Sequence, residues 1–386
     1  MVYRTDPVSD IRTYDIPCTL GLERVLEHEL LDLGAGDVKR RRGGVTATGD
    51  QVMGYRACLW LRSAVRVQEV LAEFDVDVES DLYDGIVGLP WEQWISPDDT
   101  LAVDATVRDS VLTHSGYVAL KTKDAVCDRL RERFGRRPNV DRDTPILPLR
   151  LRLVKGKATL ARDLSGDSLH KRGYRPIQVK SPLNEAVAAG LLLQAGYDGT
   201  GIMVDPMCGS ATFLIEAAWI AQDRAPGLDR RFAFTEWPDF DKAAWAALVG
   251  EALERQRPSI EARFFGADNH AGAVSLARRA IHDADLQELV RVDEADAATW
   301  RPPNDVRWLF SNPPWGERLS EQVEESWRAL AKALRACPGA DAHVLSGAPN
   351  LTRLIGMRSD QRWPVKTGPV DAMLLRYKIN ASRGAS

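Results

Sequence analysis

The sequence predicts an α/β protein in two parts, a small α+β front followed by a doubly wound sheet. Three observations predict it. From about residue 200 onward, short runs rich in Val, Ile and Phe alternate with helical patterns, the rhythm that builds such a sheet. Before that, strand-like runs are linked by turns and isolated helices. Between them lies "GDSLHKRGYRPIQVKSP", rich in Gly, Pro and cations, which places a boundary near residue 175.

The front opens with an expected strand, "RTYDIPCTL", then "GLERVLEHELLDLGA", whose Leu22, Val25, Leu26, Leu30 and Leu33 give a helix one apolar side. "VTATGD" follows, and "QVMGYRACLWLRSAVRVQEVLAEF" reads as a helix running into a strand. Alternating Leu101, Val103 and Ala105 mark a strand ahead of the helical "SGYVALKTKDAVCDRLRERFG". "TPILPLRLRLVKGKATLARDLS" reads as two strands joined at Lys155-Gly156-Lys157, a hairpin signal. Past the boundary come "GIMVD" with "TFLIEAAWIAQ", "ARFFGAD" with "AVSLARRAIHDA", "LVRVDEAD", "VRWLFSNPP" with "QVEESWRALAKALRA", "DAHVLSG" with "LTRLIGM", and finally "VDAMLLRYKI".

Composition narrows the function. No apolar run approaches the roughly 20 residues of a membrane span, and the first residues lack a secretion signal's apolar core. A cytoplasmic location is expected. Cys18, Cys58, Cys127, Cys208 and Cys337 lie far apart with no C-x-x-C pair, so no metal site and no disulfide framework is expected. A net charge of -4 hides a basic middle, because residues 108–180 hold 18 Lys+Arg against 8 Asp+Glu. Such a segment fits an electrostatic footprint for nucleic acid and equally well a solvated basic face.

The chemistry gathers at four strand ends. The first ends in Asp205 and runs through "PMCGSAT" into a helix, a small-residue turn that lets backbone N–H groups approach a ligand. It is neither G-x-G-x-x-G nor a Walker loop, which weakens nicotinamide or nucleotide phosphate and leaves a nucleoside such as S-adenosylmethionine. The second ends in Asp268, where a carboxylate can accept ribose hydroxyls. The third leads to Asp296, placed to receive an adenine amino group, and the fourth ends in "SNPPWG". Each residue alone reads as a polar loop start. Together they point to one site.

Two prolines stop the fourth strand, but they explain neither Asn312 nor Trp315. An exocyclic amino group is a poor nucleophile because its lone pair is delocalised. If Asn312 and the Pro313 carbonyl each accept one N–H, that lone pair is aimed outward, and positioning does most of the catalysis. Trp315 offers an aromatic face to an unstacked base.

"DPMCGSAT", "GADNHAGAV", "SNPPWGERL" and "SPLNEAVAAGLLL" resemble the class I S-adenosylmethionine-dependent RNA guanine-N2 methyltransferases. The basic segment ending in "LHKRGYRP" resembles the THUMP domain, preceded by a ferredoxin-like unit, that these enzymes carry. "LIEAAWIAQDRAPGL" and "FTEWPDFD" resemble the members that act on 23S ribosomal RNA. The resemblance implies a ferredoxin-like unit over 1–65, a THUMP domain over 66–165, a linker over 166–180 and a Rossmann-like methyltransferase domain over 181–386.

It also implies S-adenosyl-L-methionine as cofactor, contacted by Pro182, Leu183, Asp205, Met207, Gly209, Ser210, Asp268 and Asp296. The target amine would lie against Asn312, Pro313 and Pro314, with Trp315 on the base. RNA phosphates would meet Lys121, Lys123, Arg131, Arg133, Arg136 and Arg137, and a monomer is expected. Ala211 stands where the family has Gly, and Trp315 where it has Tyr; if position 211 needs a positive φ, Ala is strained. The long stretch "RAPGLDRRFAFTEWPDFDKAAW" is expected as an insertion beside the cofactor, with Arg230 and Arg231 available to wall the substrate pocket. Four alternatives stay open: tRNA as substrate, adenine N6 or a glutamine amide as acceptor, and a non-catalytic RNA-binding protein of the same fold.

Overall fold

A computed structural model of the protein describes residues 11–175, 183–315 and 321–380. These divide into two compact units. Unit 1 takes the described part of Met1–Pro17 with Glu27–Leu169 and Arg230–Gly250; unit 2 takes Cys18–Leu26, His170–Asp229 and the rest from Glu251.

In chain order the elements of the front are β1 (Arg12–Pro17), α1 (Glu23–Asp32), β2 (Gly36–Arg41), β3 (Gly44–Gly49), α2 (Gln51–Trp60) and β4 (Gln68–Asp75). They continue with α3 (Glu79–Val87), β5 (Thr100–Arg108), α4 (Ser115–Phe134), β6 (Asn139–Val140), β7 (Leu147–Val154) and β8 (Lys157–Asp163). The eight strands form one sheet in the order β2-β3-β1-β4-β8-β7-β5-β6. β4 is the shared strand. It pairs with β1 at Tyr14↔Glu69 and with β8 from Gln68↔Asp163 to Asp75↔Lys157. The expected hairpin is present: Lys155 and Gly156 have φ of 52° and 75°, and successive positive φ values match the twist of the flanking strands. β2 and α3 were not legible, being short and largely polar.

β8 is buried at six of its seven positions, so a charge within it needs a partner. Arg162, 1% exposed, meets Glu69 at 2.9 Å and Asp239 at 2.6 Å, and its guanidinium lies 4.3 Å from the Trp237 ring. That partner comes from the segment expected beside the cofactor. Instead, residues 230–250 complete the core of unit 1. Tyr55 of α2 stacks on Phe234 at 4.3 Å, and Phe240 and Trp245 meet its edges. Arg230 donates to the carbonyls of Asp167 at 2.8 Å and Ser168 at 2.9 Å, so it binds the chain rather than walling a pocket.

The remaining elements are α5 (Glu185–Gln194), β9 (Ile202–Asp205), α6 (Thr212–Ala221), α7 (Lys242–Arg255), β10 (Arg263–Asp268), α8 (Ala271–Asp283) and β11 (Val290–Glu294). They end with β12 (Val306–Ser311), α9 (Glu321–Arg335), β13 (Asp341–Ser346), α10 (Pro349–Thr352), β14 (Gln361–Thr367) and β15 (Val370–Lys378). Unit 2 is built on a seven-stranded sheet in the order β11-β10-β9-β12-β13-β15-β14. β9 to β13 run parallel, and β15 is antiparallel to both neighbours. The order reverses at β9, so the crevice beyond the carboxyl ends of β9, β10 and β12 is where a doubly wound sheet takes its ligand. Beneath it, Trp327, Leu330 and Leu334 of α9 pack on Val204, Leu309 and Val344. "LTRLIGM" yields only the single turn of α10 and a 3-10 turn, and β14 was not anticipated.

Among the described residues no helix is long and apolar enough to cross a membrane, and no group of three or more His, Cys, Asp or Glu could hold a metal. All five cysteines are buried.

Candidate active site

The strand ends of unit 2 open into a cleft of about 1690 Å³. Leu183, Met207, Gly209, Asp268 and Asp296 line one part of it, and Asn312, Pro313, Pro314 and Trp315 another. Pro182 lies outside the described residues. Asp205 and Ser210 do not line the cleft. Asp205 is 2% exposed, and its Oδ1 accepts from Met207 N at 3.1 Å and Ser311 Oγ at 2.8 Å. It thus ties the loop after β9 to the end of β12. Burial, opposed by those two hydrogen bonds, pushes the Asp205 carboxyl up to about 7, and the nearby Asp268 charge adds to the rise. Ser210 faces Thr212, hydroxyl to hydroxyl, at 3.3 Å.

The loop itself is a tight, left-handed turn. Gly209 has φ of 53°, and a Cβ built on it would meet no atom within 4 Å, so its Cα borders open space. Ala211 has φ of 61° and ψ of 25°, the αL conformation under which an Ala here is strained. Ala277 and its neighbours on α8 are remote from this turn in sequence; the link to β10 is made by Asp268. Its carboxylate accepts Gly209 N and His270 N, each at 3.0 Å, so one side chain fixes the loop after β9 and the start of α8. Asp296 accepts Ala298 N at 2.7 Å while its backbone carbonyl takes Trp300 N at 2.8 Å.

The tetrapeptide after β12 is held by two indoles. Trp315 Nε1 donates to Asn312 Oδ1 at 2.9 Å, and Trp327 Nε1, from within α9, donates to the Pro314 carbonyl at 2.9 Å. The Pro313 carbonyl has no hydrogen-bond partner among the described residues. Ser311, Trp327 and Gly347 were missed by sequence reasoning; only the polar Ser next to the motif was a signal.

Arg172 and Arg175, counted in the basic middle, belong to unit 2. Arg175 donates to Leu183 O at 2.7 Å and Thr212 Oγ1 at 2.6 Å, and sits 3.4 Å from Glu185, a carboxyl that burial raises to about 6. Arg172 and Tyr174 both reach the fully buried Glu216, at 3.4 and 2.8 Å. The six expected phosphate contacts all lie on or just after α4 in unit 1. Lys121, Lys123, Arg131 and Arg136 each pair with a local carboxylate, Glu79, Asp124, Asp128 and Asp98. Arg133 and Arg137 are exposed and make no ion pair among the described residues.

Acidic strand ends suited to a nucleoside's hydroxyls and amine, open space over Gly209, and a clamped Asn-Pro-Pro turn in one cleft define a class I methyltransferase site using S-adenosylmethionine. The chain belongs to the family described as RMKL-like, methyltransferase domain, which matches residues 172–376. A THUMP domain matches residues 77–163, and the RlmL ferredoxin-like domain matches residues 13–68.

A relative called ribosomal RNA large subunit methyltransferase K/L, from Cellvibrio japonicus, is 39% identical over 96% of this chain and 51% of its own length. The protein of that name from Syntrophotalea carbinolica is 38% identical over 94% of this chain and 53% of its own. The chain therefore spans about half the length of these relatives. Among solved structures, SMU.472 bound to SAH is 28% identical with a TM-score of 0.88, covering 97% of this chain and 100% of its own. A predicted N6-adenine-specific DNA methylase from Listeria monocytogenes is also 28% identical, with a TM-score of 0.87 and 96% of both chains covered.

Proposed function

We propose that this chain methylates the exocyclic N2 amino group of a guanine in structured RNA, with 23S ribosomal RNA as the substrate. One observation carries the chemistry: the turn after β12 lines the cleft, and of its two proline carbonyls Pro314 is taken by Trp327 while Pro313 is unpartnered among the described residues. The Asn312 oxygen and the Pro313 carbonyl then form a pair of acceptors for the two N–H bonds of one amine. S-adenosylmethionine, when bound, supplies an electrophilic methyl group. Asp268 and Asp296 are disposed to hold its ribose and adenine, and Gly209 leaves room for the cofactor's approach. Accepting both N–H bonds draws the amino nitrogen toward tetrahedral geometry, and Trp315 offers its ring to the base.

The names of the relatives support ribosomal RNA, and the THUMP match with the unpaired Arg133 and Arg137 supports RNA docking through unit 1. Such work belongs in the cytoplasm. The name of the Listeria neighbour favours a second reading, adenine N6, which the same tetrapeptide would serve.

Nucleoside mass spectrometry separates the readings. The protein and S-adenosylmethionine are incubated separately with unmodified 23S fragments and unmodified tRNA. N2-methylguanosine in the 23S digest alone is the expected result. The same nucleoside in tRNA alone moves the substrate, and N6-methyladenosine overturns the acceptor.

A further inference from the structure

An asparagine amide carries an acceptor and a donor of nearly equal size, and only one orientation can receive an amine's N–H. Among the described residues, the Asn312 side chain has one hydrogen-bond partner, Trp315 Nε1 at 2.9 Å. An indole N–H donates and cannot accept, so the atom beside it has to be the amide oxygen. That oxygen keeps a second lone pair for another donor, and the amide NH2 is sent the other way.

The ring that delivers this N–H is itself fixed. A Cβ built on Gly347, in the loop after β13, would meet Trp315 Cε3 at 2.5 Å and Cζ3 at 2.6 Å, so the ring rests on bare backbone that only glycine provides. The turn cannot easily shift to compensate, because Trp327 holds the Pro314 carbonyl at 2.9 Å and Ser311 holds Asp205 at 2.8 Å.

We propose that Trp315 is a positioning residue for Asn312 as well as a stacking surface: its indole N–H sets the amide so that the oxygen, and not the NH2, faces the target amine. This rests on the amine-accepting role given to Asn312 above. It also gives the Trp at this position a task that a phenyl ring could not perform.

The test replaces Trp315 by Phe, which keeps an aromatic face and loses the donor, and by 3-benzothienylalanine, which keeps the indole's shape and loses the N–H. Single-turnover rates and the RNA KM are measured for both. Each variant is expected to lower the rate about 10- to 100-fold while the KM stays within about 3-fold. In the Trp315→Phe background, Asn312→Ala is expected to cost far less than it does alone. Gly347→Ala, which pushes the ring aside, is expected to lower the rate without removing any polar group.

A benzothienyl variant at the parent rate overturns the proposal, as does a variant that turns over faster, since the N–H would then be blocking Asn312. A loss confined to KM leaves stacking alone and overturns it too. If Asn312→Ala itself keeps the parent rate, the acceptor role fails and this inference falls with it. If Asn312→Ala is slow and both Trp315 variants are unaffected, only the inference fails.

Discussion

The two strand ends flanking β9 hold their loops by the same device with opposite electrostatics. On the β10 side, carboxylates accept backbone N–H groups, Asp268 from Gly209 and His270 at 3.0 Å each. On the β12 side, neutral oxygens accept indole N–H groups, at 2.9 Å for both Asn312 and Pro314. Asp205 at the end of β9 belongs to both, bonding Met207 on one side and Ser311 on the other. The lesson is that one site can be anionic on the side proposed for the cofactor, yet uncharged on the side proposed for the target amine.

The sharpest way to break this contrast is Asn312→Ala. Removing one preorganised polar contact to the reacting group is expected to lower kcat by about 100- to 1000-fold with little change in RNA affinity. Single-turnover assays beside filter binding check it. Asn312→Asp, which restores the acceptor but adds charge, is expected to stay far below the parent rate.

The next effect is thermodynamic. Asp205 binds its proton more tightly folded, at about 7, than unfolded, near 3.8, so between those pH values the folded state holds the extra proton. Stability therefore falls as pH rises through that window, by on the order of 4 kcal/mol. Asp205→Asn keeps an acceptor oxygen and is expected to raise Tm at pH 8 but not at pH 4. Equal Tm gains at both values would mean that charge is not the cause.

His343 on β13 should run the other way. It is fully buried and stacks on Phe310 of β12 at 4.5 Å and 13°, and burial lowers its pKa to about 4. The unfolded chain then binds the extra proton between about 6.5 and 4, so stability falls as pH drops, by roughly 3 kcal/mol at the lower end. His343→Phe is expected to remove that acid loss, as read from denaturant midpoints at pH 7.5 and 4.5.

Ala211→Gly is the smallest. Relief of the αL conformation, about 1 kcal/mol, is offset by the loss of a fully buried methyl worth about 0.8 kcal/mol. A net stability change under about 1 kcal/mol is expected, and a larger gain would mean the loop is strained beyond that one residue.

Much of unit 2 was legible because β9, β12 and β13 are mostly buried and read as apolar runs, while β9, β10 and β12 run out into residues with their own chemistry. Position 211 stood out only through the resemblance, where the family has Gly; its φ of 61° meets the condition under which Ala is strained there. Other features left no local trace. The aromatics of residues 230–250 have no period, and their partner Tyr55 is distant in sequence, so nothing tied them to unit 1. Counting charge could not show that Arg162, Arg172 and Arg175 meet buried carboxylates rather than solvent. For Arg162 the clue was its place in a strand with no exposed face. The hydrogen bonds of Ser311 and Trp327 depend on the sheet order, which no periodicity encodes.

The late arrival of residues 230–250 sets a schedule for synthesis. Most of unit 1 has left the ribosome once Leu169 is made, yet Arg162 then lacks Asp239 and Tyr55 lacks its aromatic cover. Completion waits for roughly 80 more residues, on the order of 4 to 16 seconds of elongation. Unit 1 is therefore expected to complete its core only after part of unit 2 has been made. For the same reason, a gene fragment stopped at residue 175 should yield a front whose Arg162 keeps Glu69 but lacks Asp239 and whose Tyr55 lacks its aromatic cover, prone to aggregate until a peptide spanning 230–250 is supplied.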